Sequence, residues 1–134
     1  AESEDGRKAM LELSRFYIYE GGGGSSNALA APLLKELLGK EAEDPKRAAE
    51  ARYLLGEIER GRQNYQAAAT FFLDTASMTG ADKDLIARCL LRAAEMMQLS
   101  GRPQDARGLA DLLRKNYPGT EWSAEADRIT GERK

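Results

Sequence analysis

Small and apolar residues return along this chain with a spacing of 38. Ala30, Ala68 and Ala106 form one column, and the same shift aligns Leu33/Phe71/Leu109, Leu34/Phe72/Ala110 and Leu37/Thr75/Leu113. Within each copy these positions fall at i, i+3, i+4 and i+7, the pattern that lines one face of a helix. A second set of columns precedes the first: Leu13/Ala51/Cys89, Tyr17/Leu55/Ala93 and Ile18/Gly56/Ala94. The pattern predicts three copies of a helix pair, each helix with one apolar face.

The breaks between helices follow the same spacing. Asp44, Asp82 and Thr120 recur at 38, and each can accept hydrogen bonds from the free backbone N–H groups of a helix start. Pro45 follows Asp44 at a first helical position, where its missing donor costs nothing. Ser26, Asn64 and Arg102 precede the second helix of each copy, with Pro103 reinforcing the last start. Stops are expected at Gly39, at Gly80 and in the run Asn116-Tyr117-Pro118. Pro32 falls inside a second helix and is expected to kink it or delay its start. Seven helices follow: Asp5–Glu20, Asn27–Leu38, Pro45–Arg60, Tyr65–Met78, Lys83–Leu99, Pro103–Lys115 and Glu121–Thr130. The last begins where a fourth copy would, with Trp122, Ala124, Ala126 and Ile129 to cover the end of the stack. The tail after Gly131 is expected to fray.

The stretch Arg47 to Met78 carries Leu55-Gly56, then Tyr65, Ala68 and Phe72. Gly56 admits a second helix close to the first, Ala68 offers it a flat contact, and Phe72 fills the space one turn on. This resembles a tetratricopeptide repeat (TPR), whose signature sets Leu-Gly, Tyr, Ala and Phe at these offsets. Arg52 stands where that family usually has Trp, and Glu59 where it has Tyr. The family's usual period is about 34 residues, so each copy here is longer by roughly one helical turn. The resemblance implies one all-α domain over residues 1–134. It would be a right-handed α-solenoid of three TPR-like hairpins, at 5–38, 45–78 and 83–115, with a C-terminal capping helix at 121–130.

The resemblance also implies a binding surface. In this family the first helix of each hairpin lines a concave face that holds partner segments. Carried onto this chain, that face comprises Glu12, Arg15, Phe16 and Tyr19; Glu50, Tyr53, Leu54, Glu57 and Arg60; and Arg88, Leu91, Arg92, Glu95 and Gln98. Arg, Tyr and Phe are residue types that anchor interfaces. The family's chaperone-binding members use Lys and Asn at several of these places, and none stands there in this chain. A narrower resemblance lies at Asn116-Tyr117-Pro118-Gly119-Thr120 and the Ala-rich helix after it. It is similar to a junction in bacterial cell-envelope TPR proteins such as the Tol–Pal coordinator and outer-membrane assembly lipoproteins. That favours the periplasm or cell envelope, with the cytoplasm as the alternative.

Composition narrows the chemistry. The net charge is −2, so no field favours nucleic acid or an anionic membrane. Histidine is absent and Cys89 is the one cysteine, which removes Cys/His metal clusters, histidine catalysis and an internal disulfide. Cys89 shares a column with Leu13 and Ala51 and reads as a core thiol rather than a nucleophile. Glu41-Ala42-Glu43-Asp44 lacks the spaced ligands and glycine of a calcium loop. Phe16, Tyr17, Tyr19, Tyr53 and Tyr65 lack the basic stripe that base stacking would need. Gly21-Gly22-Gly23-Gly24 lacks the Gly-Lys-Ser/Thr ending of a phosphate loop. Its register places it at the turn inside a hairpin, against the alternatives of a domain linker or a shortened longer loop. No run is long and apolar enough for a membrane span. Beginning at Ala1, the chain reads as a piece of a longer protein.

Together these readings give a non-catalytic scaffold with no cofactor, binding a protein or peptide segment in its concave face. The alternatives are a self-associating homo-oligomer and a regulatory domain of a larger protein.

Overall fold

The computed structural model describes residues 3–21 and 24–131, and every regular element among them is helical. The helices are α1 (Glu4–Tyr19), α2 (Gly24–Leu38), α3 (Pro45–Gly61), α4 (Tyr65–Ala76), α5 (Lys83–Leu99), α6 (Pro103–Asn116) and α7 (Glu121–Thr130). None is long and apolar enough to cross a membrane. Three starts use the expected caps. Asp44 Oδ1 accepts from Arg47 N at 3.3 Å, Asp82 Oδ1 from Leu85 N at 2.9 Å, and Thr120 Oγ1 from Ser123 N at 3.4 Å.

Each helix packs on the next, and the odd-numbered helices α1, α3, α5 and α7 also touch in sequence. Among the described residues the even-numbered helices do not touch one another. Burial follows the 38-residue columns. Ala30, Ala68 and Ala106 are fully buried, as are Leu34, Phe72 and Ala110, while Leu37, Thr75 and Leu113 are buried to within a percent. Leu33, Phe71 and Leu109 are all half-buried. The fully buried hydroxyls of Thr75 and Ser14 are satisfied locally: Thr75 donates to Phe71 O at 2.7 Å and Ser14 to Met10 O at 2.8 Å. Gly56 lets α3 and α4 pack closely, since a Cβ there would lie 2.7 Å from Phe72 Cε1. A second cluster joins Ala87, Leu90, Ala110, Leu113 and Ala126, with Tyr117 and Trp122 against it, and seats α7 on α5 and α6.

Several expectations need correction. Pro32 neither delays α2 nor ends it, because the helix starts early, at Gly24. Pro32 and Ala28 are both exposed, so the Ala28 carbonyl that loses its N–H partner faces water. Ser26 lies inside α2, where its hydroxyl donates to Gly21 O at 2.8 Å instead of capping. Gly22 and Gly23 of the expected turn lie outside the described residues, as do residues 132–134 of the expected frayed tail. Asn64 makes no side-chain cap, because its amide donates to Glu59 Oε1 at 2.8 Å. The α4 helix ends at Ala76, ahead of the expected Met78. Gly80 therefore stops nothing; it lets the following loop cross the start of α3, where a Cβ would lie 1.9 Å from Pro45 O. Ala124 points to solvent and covers nothing.

The ends of α3 and α5 are built alike. Asn64 N donates to Glu59 O and Gln63 N to Arg60 O, and 38 residues on Arg102 N donates to Met97 O and Gly101 N to Gln98 O. This pair of bonds places the residue after the cap in the left-handed region. Gly101 sits there at φ 78°, and Gln63 holds the equivalent position at φ 65°. Gln63→Gly should therefore raise stability by about 0.5–1 kcal/mol, the penalty for a side chain there less the entropy glycine loses on folding. Urea unfolding of the variant checks this, and a loss would show that the Gln63 side chain outweighs its strain.

Candidate binding face of the odd-numbered helices

The first helix of each copy turns a polar stripe away from the core. Successive stripes meet through pairs offset by 35 residues, the repeat less one helical turn. Arg15 pairs with Glu50 and Glu57 with Arg92, the latter at 3.4 Å. Arg60 pairs with Glu95 at 3.6 Å, and the Arg88 guanidinium lies 5.8 Å from the centre of the Tyr53 ring. Nine of the fourteen residues that the sequence placed on this face, Arg15, Tyr19, Glu50, Tyr53, Glu57, Arg60, Arg88, Arg92 and Glu95, thus fall into one contiguous cluster.

Glu57 is its centre, with a side chain only 2 % exposed. Tyr19 and Tyr53 each donate a phenol hydrogen to Glu57 Oε2 at 3.1 Å. Arg92 reaches the same oxygen and also Glu95 Oε1, at 3.2 Å. Arg60 approaches Glu57 Oε1 at 3.5 Å. Taking an ion from water is costly, and pairing of this kind is what makes the burial tolerable. Neither Glu57 Oε1 nor Arg92 Nε, both buried, has a hydrogen-bond partner among the described residues.

Titration follows this arrangement. Burial, then the Glu57 charge, pushes the Tyr53 phenol up to about 12 against the opposing pull of Arg92 and Arg88. The same two causes raise Tyr19 well above the usual phenol range. Burial alone would lower Arg92, but Glu57 and Tyr53 outweigh it and hold the guanidinium charged. Cys89 is fully buried beneath this face, and burial pushes its thiol up to about 12. It is therefore protonated near neutrality and poorly disposed to nucleophilic attack.

Above the Glu57 cluster lies a hollow of about 330 Å³ lined by Arg15, Tyr19, Glu50, Tyr53, Leu54, Glu57, Arg88 and Arg92. Further hollows of about 400 and 290 Å³ adjoin it, sharing Glu50. Arg88 is exposed in the central hollow and has no carboxylate partner among the described residues. Among those residues no group of three or more acids or cysteines is placed to hold a metal.

Phe16 is not brought into the cluster and is 53 % exposed. Leu54, its equivalent one copy on, does line the hollow. Sequence reading also missed Lys8, Lys46 and Asp84, which line the adjoining hollows. They share one 38-residue column, one turn before Glu12, Glu50 and Arg88, and extending the stripe backwards by that turn would have found them. Arg92 is not the freely exposed charge its place on the stripe suggested, since it is tied to Glu57 and Glu95. No protein-family model matches the chain, and no curated protein or solved structure matches it.

Proposed function

We propose that this chain is a non-catalytic interaction scaffold, a right-handed solenoid of three TPR-like hairpins with α7 as its cap. A segment of a partner protein would lie along the face made by α1, α3 and α5. The packing supports the solenoid reading. Odd helices touch while even ones do not, as expected when the odd helices line the inside of a coil.

The observation that carries the binding reading is Arg88. It is an exposed guanidinium with no ion pair among the described residues, set over the Tyr53 ring in the lining of the central hollow. Arg and Tyr in such a place are the residue types that dominate binding energy. The tied pairs around it make a rigid wall, which lowers the entropy lost when a segment settles there.

The test is capture of a partner from the source extract on the immobilised chain. Arg88→Glu should leave the helical signal intact, because the residue is exposed and makes no ion pair among the described residues. It should weaken the captured partner by about 2 kcal/mol, roughly thirtyfold. Lys115→Glu, on α6 and away from this face, is the control. Binding that survives Arg88→Glu and fails with Lys115→Glu would place the partner on the other side.

A further inference from the structure

The outward side of α1 is a second surface, distinct from the hollow. Asp5, Ala9, Leu13, Phe16 and Glu20 follow one another at three- and four-residue steps, and all are exposed. Leu13 and Phe16 are 43 % and 53 % exposed, and they form the middle of an apolar stripe. The same columns are covered elsewhere in the molecule. Leu13, Phe16 and Glu20 correspond to Ala51, Leu54 and Ile58 of α3, all buried. Leu13 and Glu20 correspond in α5 to Cys89 and Met96, both fully buried, and Phe16 corresponds to Arg92, whose guanidinium lies against Glu57 of α3 at the central hollow. There the preceding helices pack on the one that follows: α1 and α2 on α3, and α3 and α4 on α5.

In α1 this docking side therefore keeps the shape that receives a helix, but nothing described lies on it. Its rim is also different. Glu20 stands where α3 and α5 have Ile58 and Met96, and Asp5 stands at the other end of the stripe. Neither acid has an ion pair among the described residues. The nearest cations of α1, Lys8 and Arg15, turn to the hollows instead. Two copies of α1 placed antiparallel would bring Asp5 against Glu20, like charges that oppose self-pairing.

We propose that the outward side of α1 docks an amphipathic helix of a partner protein, one with an apolar stripe flanked by basic residues. The apolar stripe would bury Leu13 and Phe16 as preceding helices bury their equivalents. The basic flanks would meet Asp5 and Glu20.

The probe is a fluorescently labelled Leu/Lys amphipathic peptide as long as α1, titrated with the full chain by anisotropy. Binding should be 1:1. It should weaken about tenfold or more in Leu13→Ser with Phe16→Ser, the loss of two apolar anchors. It should weaken about threefold or more in Asp5→Asn with Glu20→Lys, and be unchanged in Arg88→Gln and in Leu29→Ser on α2. A Leu/Glu peptide of the same pattern should bind at least about tenfold more weakly. Equal binding of the two peptides would overturn the charge assignment. Binding indifferent to the Leu13 and Phe16 changes, or sensitive to Arg88→Gln, would overturn the surface. If the double serine variant does not fold, amide shifts of the wild-type chain decide, with those confined to α1 supporting the proposal and those on α3 and α5 overturning it. A doubled mass in sedimentation that Leu13→Ser with Phe16→Ser abolishes would assign the face to a second copy and sink the proposal.

Discussion

Truncating Phe72 to alanine should lower the free energy of unfolding by about 4 kcal/mol, as buried aromatic truncations do. Phe72 is the largest fully buried side chain among the described residues. It lies against Gly56, so the backbone of α3 is already as near as it can come and cannot collapse into the space left behind. The ring also supports Tyr53, with centroids 5.4 Å apart at a tilt of 46°. The cavity would therefore loosen the aromatic that Arg88 rests on, and disturb the central hollow from beneath. Urea unfolding followed by circular dichroism measures the loss. Phe71→Ala, at the half-buried neighbouring position, should cost clearly less. A Phe72→Ala loss of about 1 kcal/mol or less would mean that α3 and α4 do not interlock at Gly56.

Glu57→Ala should cost about 3 kcal/mol, because it strands groups that were paired with a buried charge. Two phenols and the Arg92 guanidinium would lose a common acceptor, and Arg92 would keep Glu95 as its carboxylate partner. Glu57→Gln keeps an acceptor oxygen for the phenols and should cost less than the alanine change. For a domain of this size the alanine variant should melt roughly 10 °C lower. An unchanged melting transition would mean that Glu57 is solvated and that the cluster holds nothing together.

The helix starts were legible because their signals are local. Asp44, Asp82 and Thr120 act within three residues of themselves, and a recurring spacing marked them. The core columns were legible for the same reason, since a shift of 38 carries each buried position onto another. The failures have physical causes. Gln63 takes a left-handed conformation that its side chain does not advertise, and only its match with Gly101 exposes it. Gly24 opens α2 although glycine is a poor helix former, so its place there was not legible from propensity. Glu57 sits on a polar stripe and reads as a surface charge. Its burial depends on Tyr19 and Arg92, which approach from the helices on either side of α3. The offset of 35 that joins Arg15 to Glu50 and Glu57 to Arg92 is written in the sequence. It becomes visible only once neighbouring copies are set one helical turn out of register.

The central claim is that a partner segment lies along α1, α3 and α5. The most direct test is an amide-shift titration of the isotopically labelled chain with the segment captured from extract. The account predicts that the largest shifts gather at Arg15, Tyr53, Glu57, Arg88 and Arg92, and that Arg88→Glu abolishes them at the same concentration. Shifts gathered on the exposed sides of α2, α4 and α6, with those five residues unmoved, would contradict it.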